Sequence, residues 1–181
     1  MASSGPLERR GNGGESPLAD DHWNAGARGE TPTERLDRNW SALLQELRVA
    51  QTGVQLLTGL LLTVPFQARF GELVTHQRIL YLVATGLSVL ATGLLIAPVM
   101  LHRVLFRRRG MGVLVEAGQR FAVAGLATLG LSVTAVVALI TEVVLGTAVG
   151  VVAGILALLV LTGLWVVVPL RLRRRLASPR A

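Results

Sequence analysis

The chain has no cysteine, so disulfides, thiolate metal sites and cysteine nucleophiles are excluded. It also has no lysine: its eighteen basic residues are all arginine. Aromatic residues make up only 4% and charged residues 16%, against about a quarter charged in an average soluble domain. The three histidines, His22, His76 and His102, lie far apart, and none has a second histidine at ligand spacing. No Walker loop, GxSxG, HExxH or paired catalytic carboxylates occur. These absences point to a non-enzymatic protein with no catalytic residues, no metal and no cofactor.

What is present is apolar and arranged in long runs. Of 181 residues, 51% are hydrophobic, and the runs reach the roughly twenty residues needed to cross a ~30 Å hydrocarbon layer. Four spans are expected, at about 47–68, 79–101, 121–140 and 147–168. The fold class follows: an all-α, four-helix transmembrane bundle over residues 31–176. A short basic tail, 177–181, follows it. Residues 1–30, rich in Gly, Ser, Pro and charge, are predicted to be a disordered, slightly acidic tail. They contain no apolar segment of the kind that marks a signal peptide.

The ordered part is expected to begin at Thr31-Pro32-Thr33-Glu34, where an N-cap threonine, a first-turn proline and a glutamate three residues on form a capping box. From there Leu36, Trp40, Leu43, Leu47, Ala50, Val54, Leu57 and Leu61 form a heptad seam. The spacing predicts one long helix from about 32 to about 68 that enters the membrane near Leu47.

The net charge of +7 is unevenly placed. Arg35, Arg38 and Arg48 flank the first span; Arg103, Arg107, Arg108, Arg109 and Arg120 lie between the second and third; Arg171, Arg173, Arg174, Arg175 and Arg180 follow the fourth. The other side has only Arg69 and Arg78. The positive-inside rule then puts both termini in the cytoplasm. With an Ala-, Gly-, Val-, Leu- and Arg-rich composition typical of GC-rich bacterial genomes, the expected location is the bacterial cytoplasmic membrane. Arginines beside apolar runs, without interleaved aromatics, exclude a nucleic-acid partner from the expectation. Anionic lipid at Arg107–Arg109 and Arg171–Arg175 is the expected contact.

Within the spans, Gly146, Gly150 and Gly154 recur every fourth residue, with Ala153 and Ala157 beside them. Such a face admits a neighbouring backbone closely. The adjacent third span is the first expected partner, and a homo-oligomer contact is the second. The most polar stretch runs from Gln45 to Gln55. Glu46, Arg48, Gln51, His102 and Glu116 could converge at the inner leaflet, with Gln55 deeper. There they would form either a proton or ion site or a hydrogen-bonded packing seam. Glu142 is the outer carboxylate: at the end of its span it is expected to be solvated at the interface rather than to bind a cation, with one of the outer arginines as a candidate partner.

Three stretches carry a resemblance: Trp40-x-x-Leu43-Leu44-Gln45-Glu46-Leu47-Arg48-Val49-x-Gln51-Thr52-Gly53-Val54-Gln55, Pro65-Phe66-Gln67-x-Arg69-Phe70, and Ala97-Pro98-x-x-x-His102-Arg103-x-x-Phe106-Arg107. Over about residues 34–176 the chain resembles a family of small four-span membrane proteins of unknown function from high-GC Gram-positive bacteria. Its members often carry the automatic label sodium:proton antiporter. Cation transport in that family would direct attention to Gln51, Gln55 and His102, with Glu46 as a proton acceptor. Two functions are therefore expected: a membrane component that binds lipid or a partner at its basic face, or a small oligomeric proton- or cation-coupled transporter.

Overall fold

The computed structural model describes Gly29 and residues 31–105 and 111–177. The capping box forms as the residue types dictate. The Glu34 N–H donates to Thr31 Oγ1 (3.3 Å), and the Thr31 N–H donates to Glu34 Oε2 (2.8 Å). Helix α1 then runs Pro32–Thr63. It stops short of the expected residue 68, because Pro65 has no N–H and its ring would clash with the carbonyl of Leu61. Two 3-10 turns, Val64–Phe66 and Ala68–Glu72, carry the chain to α2, Thr75–Leu105. Helix α3 is Met111–Leu145. Helix α4, Thr147–Thr162, passes through a π turn at Gly163–Val167 into α5, Val168–Ala177.

Four stretches of this all-α chain are long and apolar enough to cross a membrane: Glu34–Phe66, Thr75–Arg103, Leu114–Leu145 and Thr147–Leu172. Consecutive stretches run antiparallel. Trp40 meets His102, Gln51 meets Leu95 and Leu61 meets Tyr81, which pairs α1 with α2 in opposite directions. Leu95 lies over Gly125, and Ala84 over Ser132, which does the same for α2 and α3. The start of α1, the end of α2, the start of α3 and the whole of α5 therefore share one end of the bundle.

The α1 seam is the wall of the core. Trp40, Leu43, Leu47, Val54 and Leu61 are buried, and Leu36, Ala50 and Leu57 are half-buried. On α2 the buried face is Tyr81, Ala84, Ser88, Ala91 and Leu95. Its small residues let α3 approach, and α2–α3 is the most extensive helix pair in the bundle. The fourth helix is different. Of α4's residues only Gly150 and Gly154 are buried, and both face α3.

Gly146 makes the α3–α4 turn by itself. Its φ of +94° is open to glycine and strained for any L side chain. At Gly150 an added Cβ would lie 2.8 Å from Glu142 Cα and 2.9 Å from the Ala138 carbonyl oxygen. These are backbone atoms and cannot turn aside. Gly150→Val should therefore destabilise the protein by about 2 kcal/mol or more through overpacking. Gly86→Ala, with nothing within 4 Å of the new methyl group, should change stability by less than about 1 kcal/mol. Unfolding titrations in mixed micelles would separate the two, and equal effects would contradict the α3–α4 contact.

Candidate functional site

The most complete polar cluster lies at the end of the bundle that holds the α3–α4 turn. Glu142, in the last turn of α3, is buried at 6% exposure, although it carries a carboxylate. Its burial follows from the turn: Gly146 sends α4 straight back, and Gly150 lets the α4 backbone settle on the Glu142 side chain. A carboxylate removed from water needs donors. Three reach its Oε1: the His76 Nε2, the Gln77 Nε2 at 3.3 Å and the Thr147 hydroxyl at 3.3 Å. Gln77 is itself held, because its Oε1 accepts the Val74 N–H at 3.2 Å. His76 stays largely exposed, at 59%.

The cluster thus joins the first turn of α2, the last turn of α3 and the first turn of α4. One buried carboxylate there meets an imidazole that stays open to the surroundings. Glu142 is thus not the solvated carboxylate expected at a span's end, because the close α3–α4 turn covers it, and its partner is His76 in place of the candidate arginine. Arg78 instead donates to the Gly71 carbonyl at 2.8 Å, and Arg69 lies on the 3-10 turn before α2. The missed partners, His76 and Gln77, are sixty-six and sixty-five residues from Glu142. The available signal was position: both lie in the first turn of a span on the side where Glu142 ends another.

The polar residues at the opposite end are brought together only in part. Glu46, Glu116, Gln119 and Arg120 line a groove of about 580 Å³ between α1 and α3, together with Leu36 and Asn39. Glu116 is exposed and paired with Arg120 one turn on, at 2.6 Å. His102 stacks on Trp40 with ring centroids 5.3 Å apart. Gln51 donates to the Leu95 carbonyl at 2.7 Å, a cross-helix bond of the seam type. Arg48 and Gln55 are exposed on the outer surface of α1. Arg171 and Arg174 are exposed on α5, which also contains Arg173 and Arg175. Arg107, Arg108 and Arg109 lie outside the described residues, as does the tail 1–28. Among the described residues no three His, Asp or Glu side chains gather as metal ligands.

Glu142→Ala leaves His76, Gln77 and Thr147 without their shared acceptor and should cost about 2 kcal/mol, through the loss of hydrogen bonds to a charged group. His76→Ala removes a solvent-screened partner and should cost about 1 kcal/mol or less. Micelle unfolding curves of the two variants would check the order. A His76 effect equal to that of Glu142 would mean that the imidazole, not the carboxylate, organises the cluster.

No curated protein and no solved structure matches the chain. A family model does match, over residues 29–169, and its description is a family of unknown function, DUF6328. The match begins beside the capping box of α1, takes in α2, α3, α4 and the His76–Glu142 cluster, and ends at the start of α5. The chain belongs to the DUF6328 family.

Proposed function

We propose that this protein is a non-enzymatic, multi-pass component of the bacterial cytoplasmic membrane whose basic end faces the cytoplasm and holds anionic lipid. The observation that supports this most is the distribution of arginine over the bundle. Among the described residues, Arg35, Arg38, Arg48, Arg103, Arg120, Arg171 and Arg174 belong to the end that carries the start of α1, the end of α2, the start of α3 and α5, and only Arg69 and Arg78 belong to the other. Such one-sidedness orients a membrane protein. Guanidinium groups at headgroup depth bind phosphate through paired N–H donors. That α5 continues the fourth apolar stretch into an arginine-rich turn supports headgroup contact at Arg171 and Arg174 on this reading.

The middle of the bundle supports a scaffold over a conduit. Val54, Ala91 and Leu95 are fully buried there. The nearby hydroxyls are engaged by backbone: Ser88 donates to the Thr85 carbonyl and Ser132 to the Ala84 carbonyl, each at 2.8 Å.

Purified protein with Arg171→Gln and Arg174→Gln together should bind phosphatidylglycerol roughly ten- to thirty-fold more weakly than wild type, at about 1 kcal/mol per arginine. Binding to wild type should fall as salt rises. Native mass spectrometry with titrated lipid measures this, and unchanged binding would count against the lipid role. In liposomes the wild type should move no protons in response to a sodium gradient. Sodium-dependent proton movement lost in Gln55→Leu or His102→Ala would replace this reading with a small cation-coupled transporter.

A further inference from the structure

Gln55 carries the one side-chain amide in the apolar middle of α1 that finds nothing to bond with. It lies about 12 Å beyond Leu47 and about 15 Å before Pro65, near the centre of a ~30 Å hydrocarbon layer. Its side chain is exposed on the outside of the bundle, and no described residue hydrogen-bonds it. Its neighbours are satisfied. Thr52 donates to the Arg48 carbonyl, Thr58 to the Val54 carbonyl, and Gln51, one turn earlier, to Leu95 on α2. Lipid offers a primary amide neither donor nor acceptor, so an amide at this depth requires a protein partner.

We propose that the partner is Gln55 of a second copy of this chain, across a two-fold axis along the membrane normal. A primary amide is its own complement. Each side chain has an N–H to donate and an oxygen to accept, so two of them related by a two-fold axis close a reciprocal pair. The same face permits the approach. Thr52 lies one turn before Gln55 and Gly59 one turn after, and an added Cβ at Gly59 would meet nothing within 4 Å. The other small-residue face, Gly150 and Gly154, is already filled by α3. Arg48 shares the Gln55 face about 10 Å nearer the basic end. The two α1 helices therefore meet along the Thr52, Gln55 and Gly59 face, with Arg48 of each toward the basic end.

The absence of native cysteine makes the test direct. Full-length Thr52→Cys protein in dilute proteoliposomes, treated with a mild oxidant, should form disulfide-linked dimers. Leu156→Cys, also exposed but on α4, serves as the reference for random collision. The Thr52→Cys yield should exceed the reference roughly five-fold or more, and adding Gln55→Leu should remove most of the excess, because it deletes the reciprocal amide bonds from both copies. Gln55→Asn should retain part of it. Equal yields at the two positions, or a yield indifferent to Gln55→Leu in protein of unchanged helicity, would overturn the proposal. So would Thr52→Cys adducts formed only with other membrane proteins when the oxidation is done in native membranes.

Discussion

Three hydrogen bonds tie described residues of neighbouring helices together between the two ends of the bundle, and each involves α2. Gln51 donates to the Leu95 carbonyl, the Tyr81 hydroxyl to the Leu61 carbonyl, and the Ser132 hydroxyl to the Ala84 carbonyl. In hydrocarbon no water can substitute for a missing partner, so each bond ties a donor to one level of a neighbouring helix. The first two hold α1 to α2 at two heights and fix its register; the third holds α3. The apolar core then has little freedom left. Leu95 must lie over Gly125, and Trp40 over Gly118, because these are the positions where a side chain on α3 would collide. The remaining hydroxyls of the spans, such as Thr58, Thr85, Thr92 and Thr134, donate one turn back along their own helices and leave the packing to shape.

The fourth helix stands outside this network. Its contact with the bundle is a strip of glycine against α3, with Trp165 laid beside Gly130 farther along. Its other faces carry exposed valine and leucine along their length. In water such a surface would aggregate; in lipid it is solvated. The bundle is thus a three-helix core with a fourth helix attached along one seam, and the only buried carboxylate among the described residues sits where that seam begins.

Much of this could be read from residue order because it depends on residues close together in the chain. The capping box at Thr31, the heptad seam of α1 and the glycine period of the fourth span are local patterns, and the structure uses each. The polar residues were harder, because their fate depends on helix rotation. Gln51 and Gln55 are one turn apart and look alike in sequence, yet a modest difference of angle sends one to the Leu95 carbonyl and the other outward. Similarly, His76 and Glu142 meet only because two helices of more than thirty residues stop at the same height. The π turn at Gly163–Val167, which resets the direction of every residue after it, has no counterpart in the apolar pattern.

The single-residue turn at Gly146 also couples two parts of the molecule. With no slack between them, α3 and α4 form a helical hairpin whose arms are held at one fixed offset, and Glu142 lies folded between them. A residue added to the turn would slide Gly150 off Glu142 and Gly154 off Ala138 together, and would carry Thr147 away from the Glu142 carboxylate in the same movement. The hairpin's register and the carboxylate's donor set are therefore one property of the chain, not two.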